Sequence, residues 1–216
     1  SGILDGGCSG REAYRSTQSA ARGVDLVQVA ASNAVEWARS EANANLMRLQ
    51  KPESATEFSG FMRNLIETAL AKASAEYNGP KGRAFDLAMA NIERQIFSMM
   101  EPFFRRFVQL ARQEAAKSFN AEVFEEMEIS CNIMNDLNAA KQNALKAYRK
   151  RVASLKPKGC PRSWDAGFDE QQLVQSVDMY LLEREEEARI QGILPRGRKP
   201  IDISFPSLVN HPFSRA

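Results

Sequence analysis

Few of the 216 residues are of the kinds that do chemistry, and their spacing keeps them apart. The chain has one histidine, His211, which sits beside Pro212 in a proline-rich tail. A general acid or base needs a partner and a pocket, and a terminal tail supplies neither. Cys8, Cys131 and Cys160 are far apart and form no CxxC pair, so they do not read as a zinc site, and Cys8 has no neighbouring histidine to activate it. Gly6-Gly7-Cys8-Ser9-Gly10 is rich in glycine but lacks the G-x-x-x-x-G-K-[ST] form of a phosphate loop, and no strand pattern precedes it. The run Glu183, Glu185, Glu186, Glu187 could offer carboxylates to a metal. Consecutive residues of a helix diverge, however, so the run reads as a solvated face shared with Arg184 and Arg189. With no Glu-x-x-His pair possible, a carboxylate-bridged metal centre in a helical bundle is disfavoured. We expect no catalytic residue, no metal site and no cofactor.

Two groups of residues point instead to binding. Met99, Met100, Phe103, Phe104 and Phe107 crowd around Pro102, with Phe97 just before them. Packed inside, they are core around a proline kink; exposed, they would be a partner groove, and they are the candidate partner-binding residues. Lys146, Arg149, Lys150, Arg151, Lys156 and Lys158 form a basic cluster at the end of a helical pattern, and Arg196, Arg198 and Lys199 form a second. Cations at a helix C-terminus complement the macrodipole; alternatively they meet phosphate in nucleic acid or lipid headgroups. Only Tyr148 is interleaved, which leaves little for base stacking.

The elements that must carry these residues are helices. Val27, Ala30, Ala31, Ala34, Trp37 and Ala38 make one stripe, continued by Leu46, Met47 and Leu49, in a helix predicted from about Val24 to Leu49 and stopped by Lys51-Pro52. Ser54-Ala55-Thr56-Glu57 has the form of a capping box for a second helix that carries Phe58, Phe61, Met62, Leu65, Ile66, Ala69, Leu70 and Ala73 and is ended by Asn78-Gly79-Pro80. A third begins near Arg83. Glu101-Pro102 predicts a kink or a new start, and the apolar pattern then runs on to Leu155, either broken near Ser118–Asn120 or forming an extended stalk. Residues 156–167 read as a loop that Trp164 anchors. A last helix spans about Asp169–Gln191, with Leu173, Val177, Tyr180, Leu181 and Leu182 facing inward. The expectation is an all-α, elongated multi-helix bundle: residues 1–23 a flexible lead-in, 24–191 the bundle, 192–216 an extended proline-rich tail.

The middle of the chain also resembles a known family. Ala75-Glu76-Tyr77, then Glu101-Pro102-Phe103-Phe104-Arg105-Arg106-Phe107, then Glu114-Ala115-Ala116-Lys117-Ser118-Phe119 are similar to the helical middle region of dynamin-superfamily large GTPases, of the guanylate-binding and atlastin type. Ser163-Trp164-Asp165 before an amphipathic helix agrees with this. The resemblance covers Glu53–Gln191 and implies a stalk or middle domain. The family's nucleotide-binding motifs and its membrane hairpin are absent from the chain, so no functional residue carries over. The start at Ser1-Gly2 rather than methionine reads as a piece of a longer protein.

Charge and cysteine usage bound the partners. With 29 basic and 27 acidic side chains the formal charge is +2, which gives no general drive toward nucleic acid. An odd, scattered set of cysteines points to a reducing compartment, intracellular and cytoplasmic. The function expected is a non-enzymatic helical interaction or stalk module that scaffolds protein partners or relays conformational change. The alternative is a phosphate-binding adaptor that uses the Lys146–Lys158 cluster, on nucleic acid or a membrane surface.

Overall fold

The apolar residues recur at helical spacing, and the computed structural model, which describes residues 9–125 and 133–191, is built from helices accordingly. Six α-helices and a 3₁₀ turn appear among the described residues, with no strand: α1 (Ser9–Ala44), α2 (Leu46–Leu49), the turn Pro52–Thr56, α3 (Phe58–Glu76), α4 (Arg83–Glu125), α5 (Ile133–Leu155) and α6 (Gly167–Gln191). The fold is an all-α multi-helix bundle. No described helix is long and apolar enough to cross a membrane. The tail 192–216, with His211 and the second basic cluster, lies outside the described residues, as do Cys8 and Cys131.

The described residues fall into two compact units, divided within α4 after Arg105 and within α5 after Ala153; the first also takes Ser154–Trp164, and the second resumes at Asp165. In the first unit α1 packs antiparallel on α3. Asn33 of α1 donates to Glu76 of α3, and one turn later the Lys72 ammonium sits 5.1 Å from the centre of the Trp37 ring. α3 closes at Tyr77, whose ring stacks on Phe85 at 5.5 Å and whose hydroxyl donates to the Pro80 carbonyl at 3.3 Å. Gly79 is required there: a Cβ at that position would lie 2.3 Å from the Tyr77 hydroxyl oxygen. This is the break that Asn78-Gly79-Pro80 predicts.

Trp164 organises the loop before α6. It is 1% exposed, stacked on Phe104 at 4.6 Å and on Phe58 at 6.1 Å, with Phe97 edge-on at 5.3 Å. One ring thus draws on α3, on α4 and on a segment that has no helix of its own. The Arg105 guanidinium adds a bond to the Ser163 carbonyl at 2.6 Å.

The second unit is three helical segments in alternating direction: α4 from Arg106, α5 to Ala153, and α6. Asn143 of α5 donates to Glu122 of α4, and two turns further along α5 Arg151 meets Glu114, two turns back on α4. α5 and α6 run antiparallel by the same test, with Lys141 paired to Asp178 and Arg149 to Glu170. Phe119, Leu137, Ala140, Ala144, Tyr148, Leu173, Val177 and Tyr180 fill the interior, and Phe119 meets Tyr180 edge-on at 5.7 Å.

Several expectations are corrected. α1 begins at Ser9, not Val24, and so takes up much of the expected lead-in 1–23. It stops at Ala44, where the Asn45 side chain bonds back to the Glu41 carbonyl at 2.9 Å, before Lys51-Pro52 is reached. The capping box does not form: Ser54 donates to the Arg48 carbonyl at 2.6 Å, and Glu57 pairs with Arg48, which leaves α3 without a side-chain cap. Pro102 starts no new helix, for α4 runs through it. Pro102 and Ser98, whose carbonyl loses its donor, are both exposed, so water can serve that oxygen. Nor does the pattern break near Ser118–Asn120, since α4 continues to Glu125 with Phe119 fully buried.

Replacing Trp164 tests its role. Trp164→Ala should cost about 3–5 kcal/mol in urea unfolding, the usual range for emptying an aromatic core site. Trp164→Phe should cost clearly less, because the indole N–H finds no hydrogen-bond partner among the described residues and its loss forfeits none.

Candidate functional site

The structure separates the two groups that the sequence offers. Met100, Phe103, Phe104 and Phe107 are buried and Met99 is half-buried. They pack the interior of α4 and do not form a partner groove, which corrects their candidacy as an exposed surface. Large apolar side chains at helical spacing went inside, and Pro102 took the solvent side.

The basic cluster is broken up by ion pairing. Arg149 donates from Nε and Nη2 to Glu170 Oε1 at 2.9 and 2.6 Å, and that bond strengthens its hold on its proton. Arg151 lies 3.6 Å from Glu114. Lys146 and Lys150 remain on the outer side of α5, exposed and one turn apart. Lys156 and Lys158 belong to the other compact unit. Among the described residues no group of three or more histidine, cysteine, aspartate or glutamate side chains converges as metal ligands would. Cys160 is half-buried with a free thiol.

What the sequence did not reveal is a buried ionic node. Arg112 of α4 is 3% exposed and Asp169 of α6 is 9% exposed, with Arg112 Nη1 3.3 Å from Asp169 Oδ1. Tyr148 of α5, also buried, donates its hydroxyl to the Ala166 carbonyl at 3.0 Å. Burial lowers the Arg112 pKa, and the field of Asp169 offsets part of that. Burial raises the Tyr148 hydroxyl far above its ordinary range, with Asp169 and then Glu170 adding to the shift. The three side chains tie α4, α5 and the start of α6 together. An i,i+3 or i,i+4 scan could not find them, because the partners are distant in sequence.

The second feature is the outer face of α6. Leu173, Val177, Tyr180 and Leu181 point into the unit, whereas Phe168, Met179 and Leu182 are 69%, 64% and 64% exposed. Leu182 was expected to face inward, and it does not. α6 carries apolar residues on both sides, so periodicity alone could not orient its last turns. Every acid between Phe168 and Leu182 is used inside the unit: Asp169 with Arg112, Glu170 with Arg149, Asp178 with Lys141. The outer strip is therefore uncharged, with Gln171 and Gln175 exposed beside the three apolar side chains. Elsewhere among the described residues the exposed large apolar side chains are a pair on α1, Leu26 and Val29, and the single Met47 and Leu87. The α6 strip is the best-defined candidate site.

No family model, no curated protein and no solved structure matches this chain.

Two outcomes test the node. Asp169→Leu should destabilise by roughly 3–5 kcal/mol, because it strands a buried guanidinium, whereas Asp169→Leu with Arg112→Met should recover most of that loss in denaturant titration. Tyr148 has its pKa raised by folding, so the folded state keeps a proton that the unfolded chain releases above about pH 10. Stability should be full below that pH and fall as pH rises beyond it. Tyr148→Phe should flatten the fall at little cost, since Ala166 still accepts from the Glu170 amide at 3.0 Å.

Proposed function

We propose that the chain is a non-enzymatic helical interaction module that docks protein partners through the outer face of α6. One observation carries this: Phe168, Met179 and Leu182 stand exposed on a strip from which charge has been withdrawn into internal ion pairs. Burying such side chains against a partner gains on the order of 1.5–3 kcal/mol each, whereas leaving them in water gains nothing. Helix-on-helix docking is the recognition mode that a straight strip of this kind serves. A stalk-type role, which the resemblance to the middle region of large GTPases implies, is one form of the same reading.

The phosphate-adaptor alternative draws less support. Arg149 and Arg151 are occupied by Glu170 and Glu114, and two lysines on α5 are a small footprint for phosphate.

The test separates docking from folding. The triple variant Phe168→Gln, Met179→Gln, Leu182→Gln should unfold within about 1.5 kcal/mol of the parent, because exposed substitutions rarely cost more than about 0.5 kcal/mol each. A photo-crosslinking amino acid at position 175, between them, should give a discrete adduct in cells, and the triple variant should abolish it. The same group at Lys150, on the outer side of α5, should give none. A large loss of stability in the triple variant, or equal labelling at both positions, would show the strip to be structural or merely sticky.

A further inference from the structure

Resting on that reading of the α6 strip, we infer that its resident occupant is this chain's own tail: residues 201–205 run back along the strip, Arg198 and Lys199 lie over the acids beyond Leu182, and a protein partner docks by displacing them. The sequence of the tail has the pattern this needs. Ile201-Asp202-Ile203-Ser204-Phe205 alternates apolar and polar residues. In extended chain every second side chain shares a face, so Ile201, Ile203 and Phe205 make one apolar edge, with Asp202 and Ser204 on the other. So short a segment cannot bury that edge on itself and gains by covering an apolar surface. Among the described residues, α6 is the helix that exposes three large apolar side chains, Phe168, Met179 and Leu182.

The lengths agree with this seating. α6 ends at Gln191, and Gly192 and Pro195 follow, residues that stop a helix and favour a reversal of the chain. An extended chain advances about 3.3 Å per residue and a helix about 1.5 Å, so each tail residue running back passes roughly two helical ones. With Pro195 level with the end of α6, Arg198 and Lys199 come level with the acids at 183–186. Ile201 then comes level with Met179, Ile203 with Gln175 and Phe205 with Phe168, each to within about two helical residues.

Charge selects the same segment and the same direction. Arg196, Arg198 and Lys199 precede the apolar edge, and exposed Glu183, Glu185 and Glu186 follow Leu182, so a tail running back meets the acids with its cations first. The uncharged stretch of α6 then receives Ile201–Phe205, whose one charge, on Asp202, lies on the edge turned away. A slide of one turn along α6 would set the cations over apolar side chains or the apolar edge over the acids, which penalises both slips. The clamp joins opposite charges at the surface, so salt weakens it. Tethering lets a small contact suffice. A segment on so short a link meets its site at an effective concentration on the order of 1 mM, so a contact with a Kd of about 100 µM stays closed roughly ten to one. A partner then binds with about a tenth of the affinity it has for the open strip.

The photo-crosslinking amino acid at position 175, in the purified full chain at low micromolar concentration, tests this. Light should join it to residues 201–205 of the same molecule, identified by peptide mass spectrometry, with the product still at the mass of one chain, 24.1 kDa. The same group at Lys150 should not reach them. Arg198→Glu with Lys199→Glu, or high salt, should lower the yield several-fold, and adding Glu183→Lys with Glu185→Lys should restore most of it at low salt. In cells, Ile201→Asp with Ile203→Asp should raise the partner adduct at position 175 several-fold. A tail adduct that forms equally from position 150, that ignores the charge reversal, or that appears only at twice 24.1 kDa would overturn the closure. If no tail adduct forms while position 175 still captures a partner in cells, the closure fails and the docking face stands. If the tail adduct forms and no partner is captured even from the Ile201, Ile203 double variant, the closure stands and the docking reading falls. If no adduct of either kind forms, both fall.

Discussion

A guanidinium in an apolar interior has to be matched, and the Arg112–Asp169 pair does this at the point where α6 begins. Arg112 is held by α4 among Phe107, Val108, Ala111 and Ala115, all buried, so its charge cannot reach water without unpacking that turn. Asp169 must turn inward to meet it. Once Asp169 faces in, helical geometry assigns the rest of α6: Leu173, Val177 and Tyr180 follow onto the inner side, and Phe168, Gln175 and Leu182 go to the opposite side. Glu170–Arg149 and Asp178–Lys141 then lock the same rotation from α5. A buried pair of this kind adds little net stability over an apolar substitute, but it is costly to mismatch. Its effect here is to choose one rotation for a helix that has apolar residues on both sides.

Much of the fold was legible because local signals and burial agreed. Asn78-Gly79-Pro80 ends α3 where the Tyr77 ring leaves no room for a side chain at Gly79, and Trp164 anchors its loop because a large aromatic in a short polar stretch has nowhere else to go. The misreadings came where a local rule met a stronger distant partner. Ser54 could have capped α3, but the Arg48 carbonyl took its hydroxyl. Pro102 could have broken α4, but it stands on the wet side, where the freed carbonyl is satisfied cheaply. Leu182 fits a period that serves either face, and only the ion pairs decide between them.

The candidate site was less legible than the fold for a related reason. The sequence displays its charges as runs, Lys146–Lys158 and Glu183–Glu187, and invites their reading as surfaces. Folding spends Arg149 and Arg151 of the first run across helices instead. Glu114, Glu170 and Asp178 draw Arg151, Arg149 and Lys141 into pairs whose members are 37 residues apart or fewer, on different helices. The exposed pairs among these contribute little free energy individually, about 0–1 kcal/mol each. Their consequence lies in what they leave behind, since the stretch of α6 from Phe168 to Leu182, whose three acids are turned toward its neighbours, presents a neutral side to solvent.

That neutral side explains why the aromatic cluster around Pro102 and the strip on α6 have opposite fates despite similar composition. Met100, Phe103, Phe104 and Phe107 recur closely enough to form a continuous stripe, and a continuous stripe is buried by the chain's own helices. Phe168, Gln175, Met179 and Leu182 are fewer and more widely spaced, and Asp169, Glu170 and Asp178 hold the opposite side of α6 inward, which leaves these four exposed.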